Sequence, residues 1–139
     1  MKNKRLRLIY CVSGLIIVIA GVASRVFHSG IRLIDHDLGE ALYAALAYAL
    51  LGIVWPQLSP TRKMPITASA MLLIELFQLT GVPDRFAESG HIGLRLLAIV
   101  LGTAWSWRDL LGYAFGIAVV VLLDYGFRLP SAIRPKQAQ

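Results

Sequence analysis

Four long apolar runs dominate this chain of 139 residues and limit what it can fold into. They cover residues 8–23, 38–55, 66–82 and 110–127, and each approaches the roughly 17–25 residues that an α-helix needs to cross a bilayer. Unpaired backbone groups are costly in lipid, so these runs predict helices. The sequence therefore predicts an all-α fold, a polytopic membrane helical bundle with about four transmembrane helices.

The composition agrees with a membrane environment. Hydrophobic residues make up 57% of the chain and charged residues only 16%, whereas a soluble domain carries about 25% charged residues. The net charge of +6 does not indicate nucleic-acid binding, because the basic residues form short clusters between apolar runs instead of one solvated face. The single Cys11 supports neither a disulfide framework nor a cysteine metal site. We predict no cofactor, no bound metal and no nucleic-acid partner.

A fifth apolar stretch, residues 92–105, is short for a span and is interrupted by Arg95. We interpret it as a short interfacial or re-entrant helix, because Trp105 and Trp107 are suited to the membrane boundary. The basic start of the chain followed by an apolar run also fits a signal peptide, but the later runs favour a retained anchor. Residues 1–139 are expected to form a single integral membrane domain.

The distribution of basic residues predicts an orientation. With four spans, nine of the 14 lysines and arginines fall in the N-terminal segment, a short turn at residues 56–65 and the C-terminal tail. The turn contributes Arg62 and Lys63 to this count. Because cytoplasmic loops carry the excess of positive charge, we predict a multi-pass protein of the bacterial inner membrane with both termini in the cytoplasm.

This topology brings the rare polar residues of separate spans to one depth near the outer face. Glu40 lies about one turn into the second span, Glu75 and Gln78 lie in the outer half of the third, and Asp109 and Tyr113 begin the fourth. An ionisable group within a span costs roughly 2.5–3.5 kcal/mol and needs a partner. We therefore predict a polar pocket at the periplasmic side. Its predicted lining also includes basic residues of the connections, namely Arg85, His91, Arg95 and Arg108.

Glu75 and Gln78 are three residues apart and share a helix face, so they can present a carboxylate and an amide to one cavity. Arg85, Arg95 or Arg108 would supply the compensating cation. A structural ion pair that only fixes helix packing is the competing interpretation.

The start of the fourth span carries a second candidate stripe. Asp109 occupies the expected position of an N-terminal cap, and Tyr113 and Gly116 follow it on the same helical face. Gly112 and Gly116 form a step of small residues that lets helices approach closely.

Two other groupings of polar residues predict no additional site. His36, Asp37 and Glu40 have the chemical types of a metal site, but the adjacent His36 and Asp37 point in different directions on a helix and no second His is spaced for zinc. Asp124, four residues before Arg128, is interpreted as an interfacial residue without a functional role.

The segment Glu75–Gln78, followed after a long connection by Asp109–Gly116, resembles the pattern of VanZ-like membrane proteins. In that pattern an Asn stands where this chain has Tyr113, and the connection is shorter. These departures are more similar to the bacterial domain of unknown function 2809. Its members carry an acidic residue that corresponds to Glu40 and a Trp-rich approach to the Asp that corresponds to residues 104–109.

The resemblance implies a membrane protein, and VanZ-like proteins are associated with reduced susceptibility to a glycopeptide antibiotic of the teicoplanin type. The leading hypothesis is a non-enzymatic cell-envelope protein that binds a lipid or amphiphile headgroup, with arginine meeting phosphate. One alternative is an intramembrane enzyme acting on a lipid-linked substrate, with Glu75 and Asp109 as paired carboxylates. Another is a small subunit of a transport or assembly complex with a buried acid as proton relay.

No catalytic residue is assigned, because a nucleophile or metal signature is missing from the sequence. The expected partners are membrane lipids, and a homo-oligomer or a membrane-protein partner is compatible with the sequence.

Overall fold

A computed structural model of the chain describes residues 2–26 and 37–132. Within these residues it contains six helices and no strand, so the all-α prediction is confirmed. The helices are α1 (Lys2–Val26), α2 (Leu38–Val54), α3 (Pro60–Gln78), α4 (Val82–Ala87), α5 (Ile92–Leu101) and α6 (Trp107–Ala132).

Two helices of the described chain are long and apolar enough to cross a membrane. They contain the candidate spans Asn3–Ser24 in α1 and Trp107–Arg128 in α6. Helices α2 and α5 are apolar but shorter, and α3 carries Arg62 and Lys63 in its first turns. Length and composition therefore support two spanning helices, which is fewer than the four predicted.

Helix α2 is the centre of the bundle. It packs against α1 on one side and α6 on the other, and α3 packs against both α2 and α6. The buried face of α2 consists mainly of small residues, including Ala41, Ala45, Ala49 and Gly52. Alanine favours the helix, and a line of small side chains lets neighbouring helices come close from several directions.

Helices α1 and α3 run in one direction and α2 and α6 in the opposite direction. The starts of α1 and α3 and the ends of α2 and α6 therefore lie together. We call this the basic end of the bundle, because Lys4, Arg5, Arg7 and Arg62 are exposed there. The starts of α2 and α6 and the end of α3 form the opposite end.

The closest contact between α2 and α6 is made at two glycines. A Cβ atom at Gly116 would overlap the backbone carbonyl of Ala41, and one at Gly112 would lie 2.8 Å from the Cβ atom of Glu40. The small-residue step at Gly112 and Gly116 thus brings the two backbones together near the opposite end.

The turn predicted at residues 56–65 is shorter than predicted, because α3 already begins at Pro60. Proline fits the first position of a helix, where its missing N–H is not needed, and the helix continues through Pro65. Lys63 is therefore a helical residue, and it points into the bundle instead of into a loop.

We predict that Gly116→Ala destabilises the protein, whereas Gly126→Ala on the same helix does not. The added methyl group at Gly116 meets the α2 backbone, and such overpacking costs about 1–3 kcal/mol in the free energy of unfolding. A Cβ atom at Gly126 meets nothing within 4 Å, so alanine there should add about 0.5–1 kcal/mol of helix stability. Unfolding in a mild detergent measures both values, and equal stabilities would contradict the close contact.

Candidate functional site

Six polar or charged residues are buried in the described chain: Lys63, Thr67, Glu75, Gln78, Asp109 and Asp124. Four of them lie on α3 and two on α6, and most of them belong to two separate clusters. We define the Glu75 cluster at the opposite end as Glu40, Glu75, Gln78, Asp109 and Tyr113. We define the Asp124 cluster at the basic end as Tyr10, Tyr48, Lys63, Asp124 and Arg128.

A fully buried carboxylate forms the centre of the Glu75 cluster. The hydroxyl of Tyr113 donates a hydrogen bond of 2.7 Å to Oε1 of Glu75, and both side chains are buried. The backbone amide of Ser106 faces this carboxylate, and the Asp109 carboxylate lies within electrostatic reach. Among the described residues, Oε2 of Glu75 has no hydrogen-bond partner of good geometry. Oε1 of Glu75 is thus hydrogen-bonded, whereas Oε2 has no such partner among the described residues.

Gln78 connects the cluster to the segment between α5 and α6. Its Nε2 donates a hydrogen bond of 2.8 Å to the backbone carbonyl of Leu101, and its Oε1 has no partner among the described residues. Gly102 follows with φ of 74°, and a Cβ atom there would lie 2.8 Å from Nε2 of Gln78. Only glycine suits this left-handed position. We call the non-helical residues 102–106 the strap.

The end of the strap determines how α6 begins. Ser106 precedes the helix, and its Oγ accepts a hydrogen bond of 3.3 Å from the backbone N–H of Arg108, as an N-terminal cap does. Asp109 is the third residue of α6 and is buried, so its predicted capping role is wrong. Its carboxylate instead adds negative charge beside Glu75.

The predicted pocket residues divide into two groups. The structure brings together the acidic, amide and phenolic members that form the Glu75 cluster. The basic members do not join them: the side chains of Arg85, His91, Arg95 and Arg108 are exposed.

The predicted ion pair between Glu75 and an arginine is absent from the described residues. The physical reason is that α4 and α5 pack mainly against each other, which leaves Arg85 and Arg95 in the surroundings of the bundle. His36 of the metal-like set lies outside the described residues. Ligand binding by the predicted pocket residues stays a prediction.

The Asp124 cluster was missed by the sequence reasoning. Tyr10 Oη and Arg128 Nε donate to Oδ1 of Asp124 at 2.8 and 2.9 Å. Tyr48 Oη and Lys63 Nζ donate to Oδ2 at 2.7 Å each. Lys63 is 0% exposed, and its ammonium group also donates to Tyr10 Oη and lies 4.0 Å from the centre of the Tyr10 ring. This carboxylate is therefore satisfied from all sides.

The cluster ties together four helices, because its members belong to α1, α2, α3 and α6. Arg128 extends it to the turn after α2 through a hydrogen bond of 3.1 Å to the Pro56 carbonyl. The contact between Asp124 and Arg128 was visible in their spacing of four residues. A signal for Lys63 also existed: Lys63, Thr67 and Glu75 lie on one face of α3.

The fold and the two clusters define a class of protein: an all-helical bundle with polar groups inside and large apolar side chains outside. Residues 30–117 match the family model described as Protein of unknown function (DUF2809). The match covers more than half of the chain, which therefore belongs to this family. The whole Glu75 cluster lies within the matched residues, whereas Tyr10, Asp124 and Arg128 lie outside them. No solved structure matches the chain.

We predict that Lys63→Met destabilises the bundle far more than Arg62→Met. Removing the buried ammonium group breaks its ion pair with Asp124, and loss of one partner of a buried pair costs roughly 3–5 kcal/mol. Arg62 is the neighbouring residue but is exposed, so its loss should change the free energy of unfolding little. Chemical unfolding of both variants in the same detergent compares them. Similar losses in the two variants would show that the cluster does not stabilise the fold.

Proposed function

We propose that this chain is a multi-pass protein of the bacterial inner membrane, with α1, α2, α3 and α6 as its spans. We further propose a role in the cell envelope in which the Glu75 cluster binds a lipid or amphiphile headgroup. The observation that carries both proposals is the inverted distribution of side chains: polar acceptors are buried while large apolar residues face outward.

The outward apolar faces support the membrane assignment. Only 11% of the apolar window of α1 and 28% of that of α6 are buried, whereas a core helix of a soluble protein is mostly buried. Large exposed side chains also cover α3 and α5, including Leu73, Leu76, Ile92 and Ile99. Soluble monomers rarely expose apolar patches of this extent, so lipid is the natural surrounding of these faces.

The lengths of the inner helices suit the proposed spans. Helix α2 has 17 residues and α3 has 19, which correspond to about 26 and 28 Å of helix. The hydrocarbon core is about 30 Å thick, so both helices can cross it with their end residues at the interfaces. Their polar side chains face other helices, as lipid requires.

The charge distribution supports the proposed orientation. Lys4, Arg5, Arg7 and Arg62 are exposed at the basic end. Around α4 and α5, in contrast, the exposed Arg85 and Arg95 are accompanied by the exposed acidic residues Asp84 and Glu88. Lys63 is buried and paired, so it no longer counts as an interfacial charge, but the asymmetry persists without it. The positive-inside rule then places the basic end and both termini in the cytoplasm. The Glu75 cluster would lie toward the periplasm.

The Glu75 cluster supports headgroup binding because two of its buried acceptors, Oε2 of Glu75 and Oε1 of Gln78, have no hydrogen-bond partner among the described residues. Polar groups left unsatisfied in an apolar environment cost free energy, and a bound polar group would recover it. A relationship to VanZ-like proteins remains a proposal that rests on Glu75, Gln78 and Asp109. Membrane lipids are the proposed partners, and self-association would be compatible with the exposed helix faces.

We expect cysteines at the two ends of the bundle to be labelled from opposite sides of the membrane. Arg62→Cys and Gly90→Cys, each combined with Cys11→Ser, place one exposed thiol at the basic end and one beyond α4. A membrane-impermeant maleimide should label residue 90 in intact spheroplasts and residue 62 only after lysis. Labelling of both residues from the same side would contradict the proposed topology.

We also expect wild-type protein to retain a phospholipid that the Glu75→Gln variant loses. A mass spectrum of protein purified in mild detergent would reveal a lipid retained after the bulk lipid has been stripped. The matched control is Asp84→Asn, which neutralises an exposed carboxylate in α4. If wild-type protein carries only lipid in the proportions of the bulk membrane, headgroup binding is wrong.

A further inference from the structure

The Glu75 carboxylate has no protein counter-charge within the described chain. Among the described residues its only side-chain hydrogen bond is the one from Tyr113, and the guanidinium groups of Arg85, Arg95 and Arg108 are exposed. A buried carboxylate without a cation is costly. The charges that do approach it, from Asp109, carry the same sign. In the part of the chain that the structure describes, the Glu75 carboxylate is therefore without a cation.

Gln78 provides an independent acceptor on the same face of α3. Its Nε2 is committed to the Leu101 carbonyl, and the reverse orientation of the amide would set two oxygens against each other. Oε1 is therefore left as an acceptor, without a partner among the described residues, on a side chain that is only 7% exposed. Glu75 and Gln78 together offer two unused oxygens from adjacent turns.

The chemistry that fits these oxygens is a cation with several N–H donors. We infer that the Glu75 cluster takes the primary ammonium group of an aminophospholipid, an inference that rests on the proposed headgroup binding. A primary ammonium group carries one positive charge and three donors. A phosphate placed at the same position would meet the carboxylate of Glu75, while Arg85, Arg95 and Arg108 of the described chain are exposed. A quaternary ammonium group has the charge but lacks the donors.

In this inference the ligand approaches the cluster beside the strap. Non-helical backbone at membrane depth is tolerated only where protein covers it or where it lines a polar cavity. Residues 102–106 are non-helical, and the Ser106 amide faces Glu75. The exposed guanidinium of Arg108 stands at the end of the strap, where the phosphate of the same lipid would remain outside the bundle.

The test uses the purified, delipidated full chain and three lipids with identical acyl chains. Phosphatidylethanolamine, phosphatidylcholine and phosphatidylglycerol are titrated separately, and bound lipid is counted by native mass spectrometry. We expect phosphatidylethanolamine to bind roughly ten-fold or more tightly than the other two, which is the difference that one charged hydrogen bond produces. Free ethanolamine is tested as a competitor of phosphatidylethanolamine. If it competes as well as the lipid does, the lipid assignment is overturned.

The variants separate recognition from folding. Glu75→Gln should abolish the preference for phosphatidylethanolamine, whereas Glu88→Gln, which neutralises an exposed carboxylate, should keep it. Circular dichroism and size exclusion check that each variant is folded. If Glu75→Gln does not fold, Gln78→Leu serves instead, since it removes an acceptor without changing the charge.

The outcomes distinguish this inference from the proposed function. Equal binding of phosphatidylethanolamine and phosphatidylglycerol, or tighter binding of phosphatidylglycerol, overturns the ammonium assignment but leaves headgroup binding intact. Equal binding of phosphatidylcholine also overturns it, because charge alone would then suffice. Failure of all three lipids to bind overturns the proposed function together with the inference.

Discussion

The carboxylate of Asp124 is the interaction on which the bundle depends. It accepts hydrogen bonds from side chains of α1, α2 and α3 and from Arg128 one turn further along α6. In lipid there is no hydrophobic force that drives apolar helices together, so close packing and polar contacts between helices set their arrangement. One buried anion that binds donors from three other helices fixes their positions along the bundle axis.

The helix positions that are fixed at Asp124 also determine which residues meet in the Glu75 cluster at the other end. Lys63 and Glu75 are separated by about 18 Å along α3, and Asp124 and Tyr113 by about 17 Å along α6. Because these distances nearly match, two antiparallel helices joined at Lys63 and Asp124 bring Tyr113 beside Glu75. The glycines of α6 hold α2 at the same level, so Glu40 arrives there as well.

Much of the helical arrangement could be predicted from the sequence, since long apolar runs in lipid have few alternatives to helices. The position of Lys63 could not be predicted in the same way. It follows Arg62 between two prolines, a pattern typical of an exposed turn, and its partner Asp124 is 61 residues away. The periodicity of α3 places Lys63 on the same face as Thr67 and Glu75, but burial of a lysine also requires this distant partner, which local patterns do not reveal.

The contact between Glu75 and Tyr113, unlike the burial of Lys63, could be predicted from local sequence patterns. Both residues lie on stripes that helical periodicity identifies, so their approach follows from the helix pattern and the common depth. The predicted pairing of Glu75 with an arginine does not follow from the helix pattern, because an arginine near a helix end can reach water and avoid the cost of burial. Periodicity places a residue on a face, but it does not decide which charged group leaves water.

The two clusters therefore differ in how completely the protein satisfies them. Asp124 has two cations and two hydroxyl groups around it, and no further ligand is needed to balance its charge. Glu75 has one hydroxyl group and an acidic neighbour, although it is buried as deeply as Lys63. The same chain thus supplies a lysine and an arginine to one buried acid, whereas Arg85, Arg95 and Arg108 stay exposed and do not pair with the other. Because the chain compensates one buried carboxylate with its own cations, the lack of a cation at Glu75 among the described residues is the difference on which the proposed ammonium binding rests.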